Sequence, residues 1–393
     1  MKNISFIIPS YNNLQHLKNV YASIQKHAPE AEVVLLDDGS TDGTWEWMER
    51  IQLESSNKTW VIRYEERKGH TLLYDKGIDI ATNEIVGILH ADMILGPNYV
   101  ENMLKHLEPG KVVCATRIEP PLHPDGKEKI IRDFGMDFDT LNIDAFEEFV
   151  KVAQKEHKDT TTKGMFAPWI IYKRDFRSIG GHDPLFAPFP YEDSDIFQRW
   201  IMAGYELIQS RDAFVYHLTC RGHRWNEQVG QDDSYYKVVS QRAARNYLRK
   251  WGSWIRNDEF QYPIITPKYN IAYIVRNCTL DALSALEPWC DRIYIDDEMQ
   301  VLTTHYIDKE QSNTTYDLTK RIMVIGHNDP QGENDVVVEF DIKRMSHIDY
   351  RYLQQIPEIL SQSDVEIGDF RLGNLQIYIA HLESYEKNLI NIS

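Results

Sequence analysis

Two polar loops near the start of the chain carry side chains suited to holding a nucleotide. Tyr11 lies just past the apolar run 4–8, and Asp38 lies just past the apolar run 32–36. An aromatic ring can stack on a nucleobase, and a carboxylate can accept the imide N–H of uracil. No glycine-rich phosphate loop accompanies them, which argues against a dinucleotide-dependent dehydrogenase or a P-loop ATPase. The alternative is that Tyr11 is a packing aromatic and that the acidic run is a turn and a helix cap, the role we assign to Asp42.

Two later residues have the chemistry to hold the divalent cation that often accompanies a nucleoside diphosphate. Asp92 follows the apolar run 85–89 and offers the hard oxygen ligand that such a cation prefers. His217 ends a later apolar run and offers an imidazole, which binds manganese-like ions as well as zinc. Taken singly, an aspartate at a strand end is more often a turn residue, and a lone histidine is more often structural. The next polar loop holds three residues that either clamp phosphates or are simply solvated: Arg221, His223 and Arg224.

Acidic residues crowd the segment 191–195, which reads Tyr-Glu-Asp-Ser-Asp at the start of a predicted helix. The helix dipole offsets part of the repulsion among these carboxylates, but acids crowded in this way often serve a function. A general base that removes a proton from a hydroxyl nucleophile would suit this place. The alternative interpretation is an acidic N-cap.

The opening third of the chain alternates short apolar runs with segments of helical periodicity. Strands are predicted at 4–8, 32–36, 60–64, 85–89 and 112–115. This order predicts an α/β unit whose mostly parallel sheet is covered by helices on both faces. Ligands of such sheets bind beyond the carboxyl ends of the strands, where Tyr11, Asp38 and Asp92 all lie.

The alternation ends after about residue 117, and the rest of the chain is organised differently. Helices are predicted at 145–154, 193–202 and 235–254, with strands at 169–172 and 214–217. The last of these helices is aromatic and basic, which fits either a closing helix packed on the first domain or a face for a membrane surface or an acceptor. The predicted domains are 1–254, a linker at 255–268, and a smaller α/β or α+β domain at 269–393. The smaller domain is expected to bind an acceptor, to mediate self-association or to brace the first domain.

Composition limits the classes of protein that fit. No apolar run approaches the roughly 18 residues that a membrane-spanning helix needs. The net charge of −17 argues against non-specific binding to nucleic acid or to an anionic membrane. The four cysteines show no disulfide or metal spacing, so we expect free thiols in a reducing compartment. The chain is therefore expected to be cytoplasmic, with peripheral association at the membrane face left open.

These motifs, in this order, resemble those of family 2 glycosyltransferases of the GT-A fold. The matching pieces are Phe6–Asn12, Val33–Asp42, Gly69–Gly77, the region of Asp92, Gly180–Asp183, Glu192–Asp195 and Val215–His217. They extend over about residues 3–252 and leave the C-terminal third uncovered. The resemblance implies a GT-A nucleotide-diphospho-sugar transferase fold.

The resemblance also implies an activity, a cofactor and roles for individual residues. The implied activity is an inverting sugar transfer from a nucleotide-sugar, with a UDP-sugar the expected donor, assisted by Mn²⁺ or Mg²⁺. The implied donor-binding residues are Pro9, Tyr11, Asp38, Gly69, His90 and Arg221, with Asp38 on uracil. Asp92 would be the main metal ligand and His217 a further one. Asp193 would be the catalytic base, and Glu192 and Asp195 would orient the acceptor or the base.

Two departures from the family pattern keep alternatives open. The DXD position reads His90-Ala91-Asp92, so the first acid is missing, and Asp75 stands where the family usually has Asn. A catalytically inactive module that binds a nucleotide-sugar or glycan is therefore the main alternative, and a nucleotidyltransferase is a weaker one. A glycan, a lipid-linked sugar or a protein is the expected acceptor. A modified base in DNA is less favoured because of the net charge, and a homo-oligomer is left open.

Overall fold

The computed structural model describes most of the chain as two compact units. The described residues are 3–137, 139–219, 225–226, 231–232, 234–296, 298, 300–326, 330–362, 365–384 and 389–392. The first unit comprises residues 1–240, 256–264 and 390–393, and the second comprises 241–255 and 265–389. None of the helices in the described part of the chain is both long enough and apolar enough to cross a membrane.

The first unit is built from alternating strands and helices, followed by a less regular region. Its strands are β1 Ile4–Ser10, β2 Glu32–Asp37, β3 Thr59–Arg63, β4 Ile85–Ile88, β5 Met93–Leu95, β6 Lys111–Glu119, β7 Lys129–Ile131, β8 Thr161–Thr162, β9 Trp169–Tyr172, β10 Glu206–His217, β11 Trp225–Asn226 and β12 Gln231–Asp232. Its helices are α1 Leu14–His27, α2 Thr44–Glu54, α3 His70–Ile80, α4 Tyr99–Leu104, α5 Ile143–Glu156, α6 Lys173–Ser178 and α7 Glu192–Met202. Helix α8, Ser234–Trp251, continues from this unit into the second.

The central sheet has the order β3-β2-β1-β4-β9-β6-β10-β5, with β7 beside β6 and β8 beside β10. Strands β1 to β4 pair in parallel, as do β6 and β10, which confirms the predicted α/β class with a mostly parallel sheet. Strand β9 enters antiparallel between β4 and β6, and β5 runs antiparallel to β10. Ser10 pairs with Asp37 in register, so the loops after β1 and β2 leave the sheet at the same edge.

Both faces of the sheet are buried, and each strand contributes side chains to both because alternate residues point to opposite sides. Phe6 and Ile8 of β1 pack with Leu17 of α1 on one face, whereas Ile7 packs with Leu73 of α3 on the other. Burying each of these side chains contributes about 1.5–3 kcal/mol. Helices on both faces therefore hold the strand ends in place, and with them the loops that carry the candidate site.

The second unit is a smaller α/β unit, as predicted. Its strands are β13 Ile271–Arg276, β14 Arg292–Ile295, β15 Ile322–Val324, β16 Val336–Asp341, β17 Gly368–Leu372 and β18 Leu375–Ile379. Its helices are α9 Leu280–Leu286, α10 Gln300–Glu310, α11 Leu318–Arg321, α12 Pro330–Glu333 and α13 His347–Leu360. The sheet order is β15-β14-β13-β16-β18-β17. The first four strands are parallel, and β18 runs antiparallel to both of its neighbours, β16 and β17.

Most of helix α8 groups with the second unit, whereas the predicted first domain extends to residue 254. Leu248 belongs to the hydrophobic core of the second unit. The guanidinium of Arg249 is buried against Glu287, with its Nη2 2.7 Å from Oε2 of that carboxylate. Leu248 and Arg249 of this helix therefore serve internal packing and a buried ion pair, two roles that the sequence alone does not separate from a binding face.

Candidate functional site

A cavity of about 460 Å³ lies at the carboxyl edge of the sheet in the first unit. Eight of the predicted site residues line it: Pro9, Tyr11, Asp38, His90, Asp92, Glu192, Asp193 and His217. The ends of strands β1, β4 and β10 position several of these residues, and the first turn of helix α7 contributes two more. Residues far apart in sequence are thus brought together in one cavity.

Asp38 is held rigidly by the backbone that precedes helix α3. Its carboxylate accepts hydrogen bonds from the N–H of Lys68 at 2.6 Å and from the N–H of Gly69 at 3.0 Å. Burial raises the pKa of Asp38, although these N–H groups act in the opposite direction. Each carboxylate oxygen has a further lone pair, so the group can still accept a hydrogen bond from a ligand.

Gly69 helps to hold the carboxylate of Asp38 in place, although it does not itself line the cavity. Its φ is +85°, and an added Cβ would lie 2.1 Å from the Cβ of Pro188. Only glycine combines that backbone conformation with so close an approach. Gly69 therefore acts through its N–H on Asp38 and through the close packing it permits, and it is not among the residues that line the cavity.

Arg67 is a cavity residue that the sequence reasoning missed. Its guanidinium carbon lies 4.0 Å from the centre of the Tyr11 ring, within the range of a cation–π contact. Its Nε lies 3.9 Å from Oδ2 of Asp38. A basic residue two positions before Gly69 was the available signal. The ring and the carboxylate predicted to hold a base are therefore joined by a cation.

His90, Asp92 and His217 form a cluster with the chemistry of a metal site. One potential ligand atom from each lies within 4.8 Å of the others, and Nε2 of His217 is 3.7 Å from Oδ1 of Asp92. The N–H of Leu218 donates to the carbonyl of Asp92 at 3.1 Å, which ties the two loops together. Two imidazoles and one carboxylate suit a divalent ion such as Mn²⁺. His90, predicted as a donor-binding residue, thus supplies a candidate ligand where the family pattern has an acid.

Glu119 orients His217 and was also missed. Its Oε1 lies 3.0 Å from Nδ1 of His217, and it forms ion pairs with Arg117 at 3.1 Å and Lys129 at 3.0 Å. Burial would raise the pKa of Glu119, but the hydrogen bond from His217 and the neighbouring cations lower it strongly. An ionised Glu119 makes Nδ1 of His217 the donor and leaves Nε2 as the nitrogen that faces Asp92.

The acidic segment contributes two carboxylates to the cavity from the first turn of α7. Oε1 of Glu192 lies 2.6 Å from Nε2 of His70. Burial, followed by the charge of Glu192, raises the pKa of Asp193 to about 6. Tyr191, immediately before them, has a φ of +84°, a strained conformation for an aromatic residue. Strain of this kind recurs at functional sites.

Asp195 is not brought into the cavity. It is fully buried, and its Oδ2 accepts a hydrogen bond from Nε of Arg199 at 2.7 Å. Arg199 also donates to the carbonyls of Ile179 and Gly181. The physical reason is helical periodicity: two residues along an α-helix turn the side chain by about 200° from Asp193. Asp195 was predicted to orient the acceptor or the base, whereas its contacts in the structure are with Arg199, which braces the turn at 180–181.

Asp75 and Arg221 were also singled out from the sequence. Asp75 accepts hydrogen bonds from the backbone N–H of His182 at 3.1 Å and lies 2.6 Å from its Nδ1, so this acid holds the turn that precedes the acidic segment. Arg221, predicted to bind the donor, lies outside the described residues, as do His223 and Arg224.

Comparison with protein families gives a match over much of the first unit. The model described as glycosyl transferase family 2 matches residues 5–175. This match confirms the resemblance drawn from the motifs, and together with the α/β sheet it confirms the predicted GT-A fold class.

Curated relatives match a shorter stretch. The glycosyltransferase GlyG of Streptococcus pneumoniae is 28% identical over 106 residues, which are 27% of this chain and 35% of that protein. The dolichol-phosphate mannosyltransferase of Pyrococcus furiosus is 28% identical over 113 residues, which are 28% of this chain and 32% of that protein. This chain thus spans about a third of the length of the curated relatives it matches.

Solved structures that align with this chain do so at low sequence identity and with TM-scores below 0.5. GalNAc-T7 with UDP, GalNAc and Mn²⁺ is 15% identical, with a TM-score of 0.48, over 79% of this chain and 55% of that one. The mannosyltransferase PcManGT from Pyrobaculum calidifontis, in complex with GDP-Man and Mn²⁺, is 18% identical, with a TM-score of 0.42, over 62% of each chain.

Proposed function

We propose that this chain, whose residues 5–175 match the glycosyl transferase family 2 model, moves a sugar from a nucleotide-sugar donor to an acceptor hydroxyl, with inversion at the anomeric carbon. One observation carries the proposal. A single cavity collects the buried carboxylate Asp38, the cluster of His90, Asp92 and His217, and the carboxylate Asp193 with its raised pKa. A base pocket, a metal site and a proton acceptor are the three parts that such a transfer needs.

The donor end of the cavity favours a uridine nucleotide. Asp38 is held in place by two backbone N–H groups and retains lone pairs for the imide N–H of uracil. Tyr11 and Pro9 line the same end, and the ring of Tyr11 offers a stacking surface. A UDP-sugar is therefore the proposed donor.

The metal cluster is proposed to bind Mn²⁺ or Mg²⁺, and two imidazoles match Mn²⁺ better than Mg²⁺. Asp92 supplies a hard oxygen ligand, His217 and His90 supply imidazoles, and Glu119 fixes the orientation of His217. A bound divalent cation supplies positive charge that offsets the charge developing on a departing diphosphate. The imidazole of His90 makes up for the missing first acid of the motif, which favours an active enzyme over a module that only binds nucleotide-sugars.

Asp193 is the proposed general base. A carboxylate with a pKa of about 6 is largely ionised at neutral pH and is a stronger base than an ordinary aspartate. It removes the proton from the acceptor hydroxyl as that oxygen attacks the anomeric carbon opposite the leaving diphosphate. One such displacement inverts the configuration, and base assistance contributes about 10²–10⁴-fold in rate.

The proposed acceptor is a glycan, a lipid-linked sugar or a protein. A cytoplasmic location, peripheral association with a membrane and self-association stay predictions from the sequence. A modified base in DNA is the least favoured acceptor, because the net charge of −17 repels a polyanion.

The test is nucleotide release from a panel of UDP- and GDP-sugars with Mn²⁺ or Mg²⁺, by the wild type and by Asp193→Asn. We expect metal-dependent UDP release that EDTA removes and that Asp193→Asn lowers at least a hundredfold, while UDP still binds the variant. The matched control is Glu148→Gln, on the exposed face of α5. Binding of a UDP-sugar without any release would favour the inactive module, and no nucleotide binding would overturn the proposal.

A further inference from the structure

Glu192 has one oxygen committed to the protein and one without a partner. The residue is 4% exposed and lines the cavity. Its Oε1 pairs with Nε2 of His70 at 2.6 Å, whereas Oε2 is buried and has no hydrogen-bond partner within the described residues. A buried carboxylate oxygen without a donor is costly, so a ligand that brings an O–H to this point would gain from it.

His70 is held so that it presents Nε2 to Glu192. Its ring stacks on Phe189, with centroids 5.3 Å apart and planes 16° from parallel. The next residue, Thr71, donates from its Oγ1 to the carbonyl of Pro188 at 2.9 Å. The start of α3 is thereby fastened to the segment that leads into α7.

His70 and Glu192 also shift each other's pKa. Burial alone would lower the pKa of His70, but the charge and hydrogen bond of Glu192, with the charges of Asp193 and Asp38, outweigh burial and raise it. Burial would likewise raise the pKa of Glu192, whereas His70 lowers it. A hydrogen bond that an ionised carboxylate accepts is stronger than one between neutral groups and fixes the carboxylate more firmly.

We propose that His70 is a positioning residue that holds Glu192 as a second hydroxyl-binding carboxylate, and that the acceptor is therefore a carbohydrate with neighbouring hydroxyls. This inference rests on the proposed function. Asp193 takes the proton from the attacking hydroxyl, and Oε2 of Glu192 accepts a hydrogen bond from the hydroxyl next to it. Consecutive carboxylates that line one cavity suit the paired hydroxyls of a sugar ring better than the lone hydroxyl of a serine side chain.

Two substitutions of His70 separate the hydrogen bond from the packing. His70→Phe keeps an aromatic ring for stacking on Phe189 but removes the donor. His70→Gln keeps a donor near the place of Nε2 without the ring. The control is His27→Phe, because Nε2 of His27 lies 2.8 Å from Oε1 of Glu147 in a comparable buried pair away from the cavity.

The experiment measures transfer by the full chain with Mn²⁺, the preferred UDP-sugar, and methyl glycosides alongside their monodeoxy analogues as probe acceptors. We expect His70→Phe to raise the acceptor KM about tenfold or more, with the donor KM within twofold. His70→Gln should recover most of the loss, and His27→Phe should match the wild type. With the monodeoxy analogue that lacks the neighbouring hydroxyl, the wild type and His70→Phe should differ little.

Other outcomes overturn the inference. A rise in donor KM instead of acceptor KM would place the unpaired oxygen on the donor sugar. Equal losses in both His70 variants would indicate that His70 gives structural support alone. The same loss with the deoxy and the complete acceptors would show that Glu192 does not bind the neighbouring hydroxyl. These results need a wild type that transfers sugar, so they are distinct from failure of the proposed function, in which the wild type turns over no donor. Glycoside binding by calorimetry with UDP and Mn²⁺ tests the inference in that case as well.

Discussion

Nδ1 of His217 lies 3.0 Å from Oε1 of Glu119, and this contact turns the other ring nitrogen of His217 toward Asp92. Nε2 stands 3.7 Å from Oδ1 of Asp92 as a result. Glu119 itself is 2% exposed and is braced by Arg117 and Lys129. The candidate metal site therefore depends on a residue that does not belong to the ligand cluster.

Glu119→Gln should weaken metal binding without removing a ligand. The substitution keeps the shape of the side chain but loses the charge that fixes the tautomer of His217. Outer partners of this kind typically account for 10–100-fold in metal affinity. We therefore expect the dissociation constant for Mn²⁺, measured by electron paramagnetic resonance in the presence of UDP, to rise about tenfold. Glu148→Gln is the control, and an unchanged Mn²⁺ affinity in Glu119→Gln would contradict the role of Glu119.

The pH dependence of transfer should follow Asp193. Because the pKa of Asp193 is raised to about 6, the proposed base should be mostly protonated, and therefore inactive, below that pH. We expect kcat/KM to fall tenfold per pH unit below about pH 6. After burial, the charge of Glu192 is the main cause of the raised pKa, so Glu192→Gln should lower the pKa of Asp193 and move this acid limb to lower pH. If the acid limb of the pH profile of Glu192→Gln stayed in place or moved to higher pH, the charge of Glu192 would not be what raises the pKa of Asp193.

The sequence predicted the parts of the site that follow from local signals. Asp38, Asp92 and His217 each come at or just beyond the end of an apolar strand, and the edge at which such strands end is where ligands of parallel sheets bind. The family pattern added the proposed base, Asp193, in the acidic segment. The predicted α/β class and the GT-A resemblance are confirmed for the same reason, since both rest on the order of short elements.

Residues that depend on tertiary pairing were not predicted. Glu119 reaches His217 only because β6 and β10 are neighbours, and that pairing is not evident from either segment. Arg67 and His70 meet their partners across long sequence separations. Asp195 had a local signal that was available: Arg199 stands four residues later, and such spacing on a helix favours an ion pair.

Gly69→Ala should disrupt both stability and nucleotide binding. A Cβ there would lie 2.1 Å from the Cβ of Pro188, and φ is +85°. Backbone movement that relieves the clash would displace the N–H that Asp38 accepts. The control is Gly110→Ala, because Gly110 has a φ of +81° but no atom within 4 Å of an added Cβ. We expect a larger loss of Tm in Gly69→Ala than in Gly110→Ala, and a weaker UDP affinity in Gly69→Ala alone. Equal losses of Tm would indicate that backbone strain is the whole effect.

A buried ion cluster joins several elements of the second unit. Glu287 is fully buried, with Arg249 at 2.7 Å and Arg321 at 2.8 Å from its carboxylate oxygens. The hydroxyl of Tyr306 donates to the same carboxylate at 3.0 Å. Burial would raise the pKa of Glu287, but the hydrogen bond from Arg249 and the charges of both arginines lower it from 4.5 to about 2.

Glu287 should make the stability of this unit sensitive to acid. A lowered pKa in the folded state contributes stability that is complete above about pH 4.5 and is lost as the pH falls toward 2. Glu287→Gln removes the carboxylate charge that pairs with Arg321 and Arg249 and leaves Arg249 with Glu310, whose Oε1 lies 2.6 Å from its Nη2. Breaking a buried pair in this way costs about 3–5 kcal/mol. We expect urea unfolding at pH 7, followed by tryptophan fluorescence, to show this loss, and the gap between variant and wild type to narrow as the pH falls from 4.5 toward 2. Glu339→Gln, which breaks a half-exposed pair with Arg276 in the same unit, is the control. If Glu287→Gln cost no more than this control, or if the gap did not narrow in acid, the cluster would not be what stabilises the second unit.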